Sequence, residues 1–327
     1  MVDWSASATP KMGKDSIWLC IGNHLGPSVP ENLSTRDQAV ERIVEITLEC
    51  VESSRRVLIG FDFAFGYPIG FGTRAWPEIQ GEPWVKVWKG LLGEVKGDTQ
   101  AKGNGFDRFA FAQKLNERVA GGGGKAGPFW GCPVKSNWIG PKKPIPFPLN
   151  LGRLRVTERQ ISGVQETWKL YAPGSVGSQT LLGIPRVADL RFNHFKDISE
   201  VWPFESGFST GSKQVVFAEI WPGIVNGAVT QKERNRQEVR DALQVESMVE
   251  WCIRQDDLGR LGGWLSPEVG DPDKVVSEEG WILGVGEQVD VADLFAYAFA
   301  TARESGMSEE EISQLVERFK DLKTHPN

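Results

Sequence analysis

Val57-Leu58-Ile59-Gly60-Phe61-Asp62-Phe63-Ala64-Phe65-Gly66-Tyr67-Pro68 decides how the rest of the chain is read. A continuous apolar run rich in β-branched and aromatic residues, closed by Gly-Tyr-Pro, predicts a buried strand. Burial of both faces is the habit of a central strand in an α/β sheet. Asp62 sits in the middle of that run. An ionised carboxylate there loses several kcal/mol of hydration unless hydrogen bonds, a cation or a metal compensate. Either Asp62 accepts backbone hydrogen bonds and caps the next turn, or other carboxylates join it in a site.

Upstream, Met1–Ser5 and Ser16–Ile21 read as two strands joined by a polar loop that carries Ser5, Ser7, Thr9, Lys11 and Lys14. Segment 22–33 is broken by proline and holds at most a short third strand. Ser34 is expected to cap a helix running to about Ser53, with Val40, Ile43, Val44, Leu48 and Val51 at helical spacing. Two strands, a helix and a buried strand make α/β grammar, the helix serving as the crossover.

Downstream the pattern loosens from about residue 69 to 212. Helices are expected near 82–93 and 106–119. Segment 125–159 holds seven Lys or Arg against one acid, Glu158. The whole of 69–212 reads as an insertion or second lobe, partly basic and aromatic, that adds nothing to the sheet. Regularity returns with Gln214–Pro222, an apolar strand that carries Glu219 at its centre. A helix is expected at about 232–256, with Asp241 beside its apolar stripe, then an extended piece at Glu278–Leu283. Two helices close the chain, Val289–Ala302 and one opened by Ser308 with Glu311 as a capping box. The core is therefore expected in 1–68 and 213–285, with a helical extension at 286–327.

Composition narrows the classes. The chain has 327 residues, 40% of them hydrophobic, including 13 Trp and 17 Phe, enough for a sizeable core. A net charge of −6 does not favour a general nucleic-acid binder, although nucleic acid is still possible as a partner. Cys20, Cys50, Cys132 and Cys252 are scattered with no C-x-x-C pair, which suits a reduced, cytoplasmic protein better than a disulfide scaffold or zinc module. No apolar run is long enough to cross a membrane, so no membrane partner is expected. Oligomeric state is not legible.

Two motifs fail on context. Gly207-Phe208-Ser209-Thr210-Gly211 matches G-x-S-x-G, but a strand follows its serine where the nucleophile elbow needs a helix. Gly121–Gly124 with Lys125 resembles a P-loop but lacks the leading glycine and a Ser or Thr after the lysine.

The carboxylates are more informative. Asp3, Asp62 and Glu219 each lie on an expected strand in the form apolar–acid–apolar. Adjacent strands run about 4.8 Å apart, so such acids can share a divalent cation. Without one, repulsion drives at least one of them to protonate. Oxygen ligands select Mg²⁺ or Mn²⁺, and such ions activate water and hold a leaving oxygen in phosphoryl transfer. Asp241 is expected as a fourth ligand, with Asp290 or Asp293 as its substitutes.

Val2-Asp3-Trp4-Ser5, Gly60–Pro68, Ala218-Glu219-Ile220-Trp221-Pro222, Arg240-Asp241-Ala242 and Glu278–Leu283 occur together in one order. In this the chain resembles a little-characterised bacterial family of the ribonuclease H-like superfamily, whose members are often labelled predicted nucleases or cobalamin-biosynthesis proteins. Gly127–Pro133, Trp168–Gln179 and Val201–Glu205 resemble its long-insert branch. The resemblance implies a five-stranded mixed sheet with flanking helices. Three strands form an antiparallel meander, two run parallel to the first, and a large insertion separates the fourth from the fifth. It also implies that Asp3, Asp62, Glu219 and Asp241 are catalytic metal ligands. Only two residues precede Asp3, fewer than relatives have, so a shortened first strand is expected.

The reading is a Mg²⁺- or Mn²⁺-dependent hydrolase of a phosphodiester or phosphate ester, its substrate nucleic acid or a nucleotide-like small molecule. Lys169, Ser175, Ser178 and Gln179, around a Gly-rich turn before an expected helix, are the candidate substrate contacts. Two alternatives stay open. One is an actin-like ATP-binding phosphotransferase, a sugar-kinase or ATPase relative whose hairpin with Ser5, Ser7 and Lys14 embraces the ATP phosphates. The other is a non-catalytic binding protein that keeps the acids for structure.

Overall fold

Val57–Phe61 is a strand, and Asp62 is the first residue beyond it, at the strand's end and not in its middle. Ending the strand at Phe61 puts Asp62 at the edge of the sheet, where chain segments leave it. The computed structural model describes residues 1–97, 104–121, 127–134, 138, 140–144, 151–161 and 163–286, with 308 and 310. Asp290, Asp293 and nearly all of the expected C-terminal helices lie outside the described residues.

The strands are β1 (Val2–Asp3), β2 (Ile17–Leu19), β3 (Gly22–Asn23), β4 (Gly26–Pro27), β5 (Glu31–Leu33), β6 (Val57–Phe61), β7 (Ser199–Val201) and β8 (Val215–Glu219). Six of them form one mixed sheet in the order β5-β2-β1-β6-β8-β7, and β3 and β4 pair separately as a small hairpin. β1 and β5 each pair antiparallel with β2, while β1 is parallel to β6. β6 and β7 both lie parallel to β8. Five of these six strands follow the expected arrangement. The sixth corrects it, because β7 comes from 69–212, the stretch read as adding no sheet. A three-residue strand between turns leaves too short a run to show period-two alternation.

The α-helices among the described residues are α1 (Arg36–Glu52), α2 (Phe71–Ala75), α3 (Pro83–Gly97), α4 (Arg108–Val119), α5 (Gly177–Asp189), α6 (Asn226–Asn235), α7 (Arg240–Asp257) and the short α8 (Leu261–Trp264) and α9 (Pro272–Lys274). Thr35, not Ser34, caps α1 by accepting the N–H of Gln38. Ser34 instead pairs with the Gln38 side chain through its own N–H and hydroxyl. The single helix expected at 232–256 is two, α6 and α7, interrupted between Asn235 and Arg240. Lys232 bridges Glu246 and Glu250 to tie them together. The break puts Asp241 in the first turn of α7.

Alternation along β8 divides the core. Val215 and Phe217 join Val2, Phe61 and α1, whereas Val216 and Ala218 face Leu243, Met248 and Trp251 of α7. Trp84, Trp88, Phe129 and Trp168 of the 69–212 segment belong to the first of these layers, so that segment and the sheet share one core. Burying each such large side chain contributes about 1.5–3 kcal/mol. Two close approaches allow this packing. A Cβ at Gly183 of α5 would lie 2.3 Å from the Phe63 ring, and one at Gly66 would lie 2.1 Å from the Glu278 carbonyl oxygen. Among the described residues no helix is long and apolar enough to cross a membrane.

Glu278 is buried where the chain returns to the site, and its carboxyl accepts the N–H groups of Gly70 and Gly72. Burial pushes it up from 4.5 to about 7, against the pull of those two bonds. The folded state therefore holds this proton more tightly than the unfolded chain does. Its favourable contribution is complete below about pH 4.5 and is lost as pH rises through about 7, a change of up to about 3 kcal/mol. Chemical denaturation between pH 5 and 8 should show a smaller loss of stability in Glu278→Gln than in the parent; equal slopes would refute the assignment.

Candidate functional site

Parallel strands that end at the same sheet edge bring their next residues together. Val2 pairs with Phe61, so Asp3 and Asp62, each one residue further on, meet at that edge. The Trp4 N–H donates to Asp62 Oδ1 at 2.7 Å and fixes one carboxylate against the neighbouring chain. The two side chains are hydrogen-bonded to each other. Burial, followed by the charges of Asp62 and Asp241, holds the Asp3 carboxyl well above the usual carboxylate range. Burial lifts Asp62 to about 7, opposed by the hydrogen bonds from Asp3 and from the Trp4 amide. The pair thus retains a proton under conditions in which ordinary carboxylates have lost theirs.

Asp241 approaches from α7. Its Oδ2 accepts the Asp15 N–H at 2.6 Å, and burial raises its pKa. Asp15 itself has φ of 55°, a turn that delivers the amide to this acid. Asp3, Asp62 and Asp241 are therefore gathered on one wall of a cavity of about 880 Å³.

Glu219 lines the same cavity but has a different partner. It is the last residue of β8, in register with Phe61, and its two oxygens accept Arg155 Nη2 at 2.6 Å and Nη1 at 2.8 Å. The Phe65 N–H adds a third bond at 2.9 Å. Arg155 also donates to Glu158 Oε1 at 2.8 Å and to the Glu279 carbonyl at 2.8 Å, with only 1% of the residue exposed. Burial works against that guanidinium charge, but Glu219 and Glu158 outweigh it and hold the group above its ordinary range. Glu279, buried beside it, accepts the N–H groups of Ile69 and Val156.

The expected substrate contacts divide. Ser175, Ser178 and Gln179 line the cavity. Lys169 does not; its ammonium is bound by Gln165 Oε1 and the Pro173 carbonyl. Ser178 Oγ donates to the Leu170 carbonyl at 2.6 Å and accepts Arg108 Nε at 2.8 Å, while Gln179 donates to the Trp4 carbonyl at 2.9 Å. Ser5 and Ser7, on the first loop, donate their hydroxyls to the Asp15 and Thr9 carbonyls. Of the seven cations in the basic stretch 125–159, Arg153 pairs with Glu166 and Arg155 with the acids above, while Lys125 and Lys135 lie outside the described residues. Sequence reading missed Arg155 and Arg108 as individuals. The signal for Arg155 was a buried acid on β8 without a cation nearby in sequence; Arg108 gave none.

A divalent ion fits the Asp3–Asp62 pair in donor chemistry, because its two carboxylates have no protein cation within salt-bridge reach among the described residues. Glu219 does not fit as a further ligand while Arg155 takes both its oxygens. Among the described residues no three His, Cys, Asp or Glu side chains already form a group that could hold a metal ion. No protein-family model matches the chain, and no curated protein or solved structure matches it.

Removing Arg155 leaves Glu158 and Glu219 buried without their cation. Arg155→Ala should therefore lower stability by about 3–5 kcal/mol in urea denaturation, and Glu219→Gln in the same chain should restore part of the loss. A single variant within about 1 kcal/mol of the parent would show that the network does not hold the site together.

Proposed function

We propose that this chain is a divalent-cation-dependent hydrolase of a phosphate ester, with a ribonuclease H-like core and its reacting centre at Asp3 and Asp62. The observation that carries the reading is the hydrogen-bonded pair of acids at the ends of β1 and β6, set in the wall of a large cavity. Two carboxylates so placed need a proton or a cation between them. The strand order and directions of β5, β2, β1, β6 and β8 are those the family resemblance implies, which supports the ribonuclease H-like reading.

In this reading Asp3 and Asp62 hold Mg²⁺ or Mn²⁺, with Asp241 completing the acid face from α7. When bound, the ion supplies a Lewis acid and lowers the pKa of a coordinated water. The Trp4 amide keeps Asp62 oriented, and the Asp15 amide does the same for Asp241. Glu219 has a structural part here: it anchors Arg155, so the cavity wall beside the acids stays in place. A cavity of about 880 Å³ has room for a compact phosphorylated substrate.

A thermal-shift titration with Mn²⁺ and Mg²⁺ tests this. A metal that binds only the folded chain stabilises it by about 2.7 kcal/mol at one hundred times its Kd. The parent and Glu219→Gln should both gain, and Asp62→Asn should not. Absence of a gain in the parent, or an equal gain in Asp62→Asn, leaves the acids as a proton-sharing structural pair and ends the proposal.

A further inference from the structure

Arg108 is the cavity-lining cation that the acids leave unused. It is the first residue of α4, and its Nε donates to Ser178 Oγ at 2.8 Å. The Ser178 hydrogen is committed to the Leu170 carbonyl, so the serine acts toward Arg108 as a fixed acceptor. The guanidinium carbon lies 4.5 Å from the centre of the Phe109 ring. One edge and one face of the planar group are thereby fixed, while its two Nη groups have no hydrogen-bond partner among the described residues. Asp107, the acid beside it, caps α4 by accepting the Phe109 and Ala110 amides at Oδ1, and its charge favours the Arg108 cation without forming a salt bridge to it.

Behind Arg108 stands a second unneutralised guanidinium. Arg36 is 2% exposed, and its Nη1 donates only to the Ser5 and Ser7 carbonyls at 3.2 and 3.0 Å. Neither arginine has a carboxylate within salt-bridge reach among the described residues. Burial, then the positive charges of Arg186 and Arg108, lower Arg36 to about 9, and burial lowers Arg108 as well. A buried guanidinium beside a half-buried one, neither in a salt bridge among the described residues, is a costly arrangement that an anion relieves. The position is also close to the acids in bonding terms. Ser178 neighbours Gln179, Gln179 donates to the Trp4 carbonyl, and the Trp4 amide donates to Asp62.

We infer that Arg108, oriented by Ser178 and backed by Arg36, is a phosphate-binding clamp whose two free Nη groups take a phosphomonoester dianion of the ligand. A guanidinium fork matches two oxygens of one phosphate, and a terminal phosphate offers three oxygens and a second negative charge where an internal diester offers two and one. The ligand class is thus a small molecule with a terminal phosphate. Calling that ligand the substrate rests on the hydrolase reading above; the binding of phosphate does not.

The test is calorimetric titration of the full chain with inorganic phosphate in EDTA, so that no divalent ion contributes. The parent should bind with a Kd of about 1 mM or tighter. Arg108→Gln should weaken binding by about tenfold or more, and Arg108→Lys, which keeps the charge but not the fork, should fall between. Asp62→Asn should bind at least as well as the parent, which separates this site from the metal reading. Should Arg108→Gln fail to fold, the comparison of Arg108→Lys with the parent decides. The inference is overturned by no phosphate binding to the parent, by parent-like affinity in both Arg108 variants, or by acetate binding as tightly as phosphate.

Discussion

Two carboxylic acids pressed together away from bulk water cannot both carry charge without help. That constraint, created by the parallel register of β1 on β6, governs the rest of the site. Asp3 and Asp62 meet because each follows directly after a paired strand residue, and a main-chain amide holds one of them in place. Helix α7 brings a third acid, which raises the electrostatic cost further. Glu219, on the next strand, has a fully buried guanidinium bound to both its oxygens.

The contrast between these acids separates structure from proposed chemistry. An acid whose oxygens are saturated by an arginine and an amide is a fixed wall, with little left to offer a ligand. The Asp3–Asp62 pair, by contrast, has no arginine or lysine bound to it among the described residues, and it accepts the Trp4 amide. The arginines repeat the division. Arg155 and Arg153 are spent on protein carboxylates, whereas the Arg108 and Arg36 guanidinium groups donate to neutral acceptors, Ser178 Oγ and the Ser5 and Ser7 carbonyls. The cavity wall therefore carries an acid pair on one side and the Arg108 guanidinium on another, neither held in a salt bridge among the described residues.

Much of the fold was legible because long buried strands and amphipathic helices leave strong patterns. The Val57–Phe61 and Val215–Glu219 runs, and α1, could be read directly. Short elements could not: β7 has three residues, and the α6–α7 break falls in a polar stretch that still suits a helix. At the site, strand position pointed to Asp3, Asp62 and Glu219, since an acid inside an apolar run demands explanation. Which partner each acid has depends on contacts across 50 to 200 residues, and no local pattern encodes those. Arg155 shows this best. In sequence it is one of seven cations in a basic stretch; in the fold it is buried between the Glu158 and Glu219 carboxylates and the Glu279 carbonyl.

The Arg155 network also bears on how the chain reaches its final form. Phe65, Arg155, Glu219 and Glu279 meet at one point although they are spread over most of the sequence. Closing loops of that length costs entropy before any contact returns it, so networks of this kind assemble late and slowly. Until the last of these segments docks, Glu219 has no counter-ion and the wall next to the acids is missing. A chain halted short of that step can hold much of its secondary structure and still present no complete cavity.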